Sequence, residues 1–160
     1  MDNDPQALAT ACVEAMYARD GASRTLGIEL EDMAPGRVVA RMAVTDSMIN
    51  GHGIVHGGYV FLLADTAFAF ACNTYDQATV AAGCDVVFVA PARAGDVLRA
   101  TATEWCGEAV QPKACSYSGR RPLGKRSTEK ARAGRSGVYD VTPVRWSPSC
   151  AGAAVPSKAR

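Results

Sequence analysis

The chain has 160 residues, 48% of them apolar and 21% charged, with a formal net charge of +1. That length suits one domain with its own core, and the composition excludes a disordered or fibrous chain. The near-zero charge gives no sign of nucleic acid or membrane as partner. The mostly apolar stretch from Gly57 to Thr74 is interrupted by Asp65 and is too short for a membrane span. Asp2 and Asp4 open the chain where a secretory signal would carry basic residues. Six cysteines are scattered without a C-x-x-C pair, as expected for a reducing, cytoplasmic setting and not for a zinc site.

The charge is unevenly spread. Residues 1–104 carry 6 basic and 13 acidic side chains, net −7, and residues 105–160 carry 11 basic and 3 acidic, net +8.

In chain order, residues 5–20 place Leu8, Ala11, Cys12, Ala15 and Met16 at helical spacing. Asp4 is the expected N-cap and Gly21 is expected just past the end. From Leu26 the pattern alternates, and with Val38, Ala40, Met42 and Val44 it predicts two antiparallel strands joined at Pro35-Gly36. A glycine-rich loop over residues 47–57 leads into a helix from about Gly58 to Asn73. That helix is apolar almost all round and must be buried on most sides. Strands are expected over Thr79–Val89, Asp96–Glu104 and Ser136–Thr142. Residues 106–134 are polar, basic and without either secondary-structure period, so they are expected to be an irregular insertion. Residues 143–160, with three prolines, are expected to be an irregular tail.

The chemistry concentrates between Asn50 and Asp65. Both histidines of the chain, His52 and His56, lie there, and the glycine-rich backbone runs into a helix N-terminus whose free N–H groups favour an oxyanion. Asp65 lies two turns along, on a face with Phe61, Leu62, Phe68, Ala69 and Cys72, where desolvation would make it a better base. A carboxylate, N–H donors and an imidazole are the parts of acyl-transfer hydrolysis. A lone helical Asp is more often solvent-exposed, or a cap, and loop histidines are often turn residues. His52-x-x-x-His56 in a loop lacks the helical register of a metal site. The G-x-G-x-x-x-G spacing, without a βαβ unit, does not make a dinucleotide loop.

Asn50-Gly51-His52, His56-Gly57-Gly58 and the string Leu62 to Asn73 closely resemble the hotdog-fold acyl-CoA thioesterases, in particular the phenylacetate-degradation subgroup. The likeness continues through Pro91, Ala94-Gly95-Asp96 and Thr103 and resumes over residues 134–141. The resemblance implies an α+β hotdog fold spanning 1–160 as a single domain, a long central helix wrapped by an antiparallel sheet. It implies Asp65 as catalytic base or nucleophile, and Gly57 as the N–H donor to the thioester carbonyl. His56 and Asn50 would orient carbonyl, water or carboxylate. It further implies an arylacetyl- or hydroxylated arylacetyl-CoA substrate, no metal or other cofactor, and a homodimer or homotetramer with sites shared between subunits.

The C-terminal third departs from that pattern. A permitted back-translation of Val144–Ala154, read from its third base, gives Ala-Leu-Val-Ala-Leu-Leu-Arg-Gly-Arg-Ser. That run is similar to the family's last strand, so a frameshifted tail is expected. Two other functions stand beside hydrolysis. One is a catalytically impaired hotdog protein that binds acyl-CoA or a partner. The other is nucleic-acid binding through the basic insertion, which rests on charge alone because only Tyr117 interleaves it.

Overall fold

The computed structural model describes residues 4–81, 84–88, 90–104, 115–118 and 138–146. Helix α1 runs Pro5–Tyr17, with the Asp4 carboxylate accepting from Gln6 N–H and Pro5 at the first helical position. It stops earlier than the sequence pattern suggests. Asp20 is itself an N-cap, accepting from Ser23 N–H at 3.0 Å, and starts a short helix α2, Gly21–Thr25. Gly21 therefore opens a second helix instead of closing the first.

Strands β1, Glu29–Ala34, and β2, Arg37–Ala43, form the expected antiparallel hairpin. Gly36 takes φ +68° at its turn, and a β-carbon there would lie 2.6 Å from Glu104 Oε2 and 2.7 Å from the Tyr75 hydroxyl. Only glycine satisfies both demands. Gly36 N–H donates to Thr74 Oγ1 at 2.8 Å and Glu104 N–H donates to the Gly36 carbonyl at 2.7 Å, so the turn is pinned to the end of the central helix.

That helix, α3, spans Gly57–Cys72 and lies against β2 and against β4, Val97–Glu104. Strand alternation sends Val38, Ala40 and Met42 toward it from β2 and Leu98, Ala100 and Ala102 from β4, all buried. Ala40 sits directly opposite Ala100, and these small side chains leave room for α3 to approach the sheet. On the other face Arg41 lies opposite Arg99, a like-charge pair offset by Glu29 and Glu31, which pair with Arg41, and Glu31 again with Arg99. These exposed ion pairs are each worth at most about 1 kcal/mol.

The sheet order is β1-β2-β4-β6, with β6 at Val138–Trp146. The first three strands are antiparallel, as the hotdog expectation requires, but β6 runs parallel to β4. A parallel neighbour needs a crossover of about a dozen residues or more, and residues 105–137 supply that length. β3, Cys84–Val87, pairs in parallel with β5, Cys115–Ser118.

Two expectations for the C-terminal third need correction. β5 falls inside the 106–134 stretch expected to hold no strand; four residues are too few for a period to register. β6 continues through Pro143 to Trp146, four residues into the expected irregular tail. Ala100 pairs with Val141 and Ala102 with Val144, so Thr142 and Pro143 together face the single residue Thr101. A proline at such a bulge interrupts no ladder hydrogen bond. The rest of 106–134 and the tail from 147 to 160 lie outside the described residues, and with them most of the Val144–Ala154 stretch on which the frameshift expectation rests; its first three residues belong to β6. Among the described residues no helix is long and apolar enough to cross a membrane.

Candidate active site

The loop before α3 is a tight hairpin closed by pairing of Ile49 with Val55. Asn50 organises it. Its N–H donates to the Ile54 carbonyl at 2.8 Å, its carbonyl accepts from Gly53 N–H at 3.0 Å, and its Oδ1 accepts from His52 N–H at 2.9 Å. Gly53 takes φ +71°, the backbone that a glycine at the turn permits. Among the described residues Asn50 Nδ2 makes no hydrogen bond. His52 is exposed and reaches the hairpin only through its backbone.

His56 is the N-cap of α3. Its N–H is anchored on the Met48 carbonyl at 2.8 Å, and its Nδ1 accepts from Gly58 N–H at 3.0 Å. An Nδ1 that accepts carries no proton, so the neutral ring holds its proton on Nε2 and presents a donor outward. This is a role that the sequence pattern does not announce, since histidine is not among the usual caps. Gly57 is the first residue of the helix, where the backbone N–H has no intrahelical acceptor. Among the described residues that N–H makes no hydrogen bond.

Asp65 lies eight residues further on, about 12 Å along the helix axis. The structure thus gathers Asn50, His56 and Gly57 at one end of α3 and leaves Asp65 two turns away on the same chain. Its carboxylate is exposed on the isolated chain, yet desolvation by the surrounding helix face raises its pKa above the ordinary carboxylate value. The site is therefore partly, not fully, dry. The helix is buried on one side only, through Leu63, Ala64, Ala67, Phe68, Phe70, Ala71 and Cys72. Tyr59, Val60, Phe61, Leu62 and Ala69 remain half-open around Asp65. The expectation of burial on most sides is not met within one chain, because one curved sheet covers only one side of a helix. Burial pushes the Cys72 thiol up to about 11, with the Asp65 charge adding to the shift, so it is not a thiolate near neutral pH.

One neighbour of the site escaped the sequence pattern. Phe88, just past β3, rests its ring on Gly57: a β-carbon there would lie 2.9 Å from Cζ and 3.3 Å from Cε1 and Cε2. An aromatic residue ending a strand gives no sequence signal of that contact.

The model of the Thioesterase superfamily matches residues 52–105, which include His56, Gly57 and Asp65. The acyl-coenzyme A thioesterase PaaI of Escherichia coli is 50% identical over 88 residues, covering 55% of this chain and 63% of that protein. Human acyl-coenzyme A thioesterase 13 is 30% identical over 93 residues, covering 56% of this chain and 66% of its own length. The chain thus spans less than two thirds of these curated relatives. The solved structure of the E. coli PaaI protein from the phenylacetic acid degradation operon superposes with a TM-score of 0.59 at 46% identity, covering 60% of this chain and 70% of that one. With helix α3 laid across an antiparallel β1-β2-β4 sheet, and with the matched residues covering α3 and β4, the chain belongs to the hotdog-fold thioesterase superfamily.

Proposed function

We propose that this protein hydrolyses acyl-CoA thioesters, with an arylacetyl or hydroxylated arylacetyl group as the acyl unit. The observation that carries the reading is the single carboxylate, Asp65, with a raised pKa on an otherwise uncharged helix that begins with an unbonded glycine N–H. In this mechanism the Gly57 N–H donates to the thioester carbonyl oxygen and holds the negative charge that develops there. Water adds to the carbonyl carbon while Asp65 takes its proton, or Asp65 attacks that carbon itself and water releases the acyl group afterwards. The C–S bond breaks, the sulfur takes up a proton, and the products are the free acid and CoA thiol. In this reading His56 Nε2–H and Asn50 Nδ2 are the donors that orient the carbonyl or the water. The arylacetyl choice is supported by the likeness to a protein of a phenylacetic acid degradation operon.

A panel of phenylacetyl-, hydroxyphenylacetyl-, benzoyl- and short-chain acyl-CoAs, followed by free-thiol detection, tests this. Thiol release is expected, fastest with the arylacetyl thioesters. Binding without release would select a non-hydrolysing acyl-CoA binder. The rate should fall as pH drops, because Asp65 must be ionised to accept a proton. The midpoint of that acid limb should lie above the ordinary carboxylate range, in keeping with the raised pKa of Asp65.

The roughly 12 Å between Gly57 and Asp65 on one helix is too far for both to touch one thioester. The reading therefore requires Asp65 of one subunit beside Gly57 of another, and the open apolar side of α3 is the surface that would meet the second copy. Sedimentation velocity at micromolar concentration should show a dimer or a larger even assembly. An active monomer would overturn the shared site.

A further inference from the structure

We infer that Phe88 is the residue that selects an aromatic acyl group at the Gly57 end of α3; the inference rests on the thioesterase reading above and names a determinant of its substrate class. Val86, two residues earlier, packs against the core, and alternation returns Phe88 to the same side, toward the helix. Phe88 is 56% exposed while its ring lies on Gly57. The ring can sit there because residue 57 has no β-carbon; with one, Cζ would be only 2.9 Å from it.

The same glycine offers its N–H to the carbonyl oxygen. A carbonyl held at an ordinary hydrogen-bond length of about 2.9 Å brings its carbon within roughly 4 Å of the Gly57 nitrogen. The first atoms of the acyl group then emerge beside the Phe88 ring. An acetyl group ends there. A phenyl group on one methylene reaches the ring and can meet it offset or edge-to-face, an arrangement worth more than its area alone. A saturated ring of the same size gains the area without the aromatic part.

The test compares kcat/KM for phenylacetyl-CoA and cyclohexylacetyl-CoA, thioesters of matched size. The wild-type protein is expected to favour phenylacetyl-CoA about three- to tenfold. Phe88→Leu, which keeps apolar bulk without the ring, should lower that ratio at least about threefold. Phe88→Met should do the same, and Phe88→Tyr should preserve it. An unchanged ratio in both ringless variants, a wild-type ratio near one, or an equal loss on both thioesters would overturn the assignment; equal loss would mean that the ring supports the helix end and not the substrate. A wild-type protein that releases thiol while the ratio stays put refutes only the role of Phe88. One that releases no thiol from any thioester in the panel refutes the functional reading and this inference together.

Discussion

Asp65→Asn is expected to lower kcat by at least about a hundredfold while leaving acyl-CoA binding within a few-fold. The amide keeps the size and much of the polarity of the carboxylate but can neither accept a proton from water nor attack the thioester. Binding should survive because the carbonyl contact belongs to Gly57 and the loop hairpin. The substitution should not unfold the chain, and the sign can be worked out. Folding raises the pKa of Asp65, so the folded state favours its protonated form. The stability that this contributes is present in full below the unfolded-state value and is lost as pH rises through the raised value. Near neutral pH the ionised side chain is therefore unfavourable to the fold, and the neutral asparagine removes that cost. A variant with lower turnover and an equal or higher Tm is the expected result, measured by thiol release and thermal unfolding on the same preparation. Near-wild-type turnover would make Asp65 structural and sink the mechanism.

Much of this arrangement could be read from residues alone. The β1–β2 hairpin follows from alternation around Pro35-Gly36, and α3 from a long apolar run after a glycine-rich loop. Asp4 caps α1 as its residue type suggests. What escaped depends on contacts between distant segments or on geometry that residue type does not encode. Asp20 gives no separate signal because its cap lies within four residues of the end of α1, where the two helical patterns blur. Pro143 pointed to irregular chain because the bulge opposite Thr101 that accommodates it is a property of two strands together. The same holds for the site. The segment that carries Asn50, His56 and Gly57 was visible as a string. The use of His56 Nδ1 as a cap and the contact of Phe88 with Gly57 arise only once β3 and α3 are placed. The separation of Asp65 from Gly57 was implicit in the spacing, since eight residues of helix fix it however the rest of the chain folds.

Phe70→Ala should be the most damaging single truncation in the described core, costing about 3–5 kcal/mol. Among the described residues Phe70 is the largest fully buried side chain, with no exposed surface. It lies five residues beyond Asp65, about 140° round the helix, and so faces the interior where Asp65 faces out. Its ring meets that of Tyr17 with centroids 6.1 Å apart and planes tilted by 59°, a favourable aromatic geometry. Tyr17 in turn donates its hydroxyl to the Ile28 carbonyl at 2.7 Å, and Ile28 is itself fully buried just before β1. One ring thus ties α3 to α1 and to the chain entering the sheet, and deleting it leaves a cavity between three segments that cannot all collapse into it. Set against a total stability of roughly 5–15 kcal/mol for such a domain, the loss is large. It corresponds to a fall in Tm of roughly 6–20 °C for a chain of this size. Leu8→Ala, on a side chain more than one third exposed at the surface of α1, is the matched control and should shift stability by no more than about 0.5 kcal/mol. Thermal unfolding of the two variants beside the parent protein decides the matter: a Phe70→Ala variant that melts within a degree or two of the parent would show that α1 and α3 are not joined through this ring.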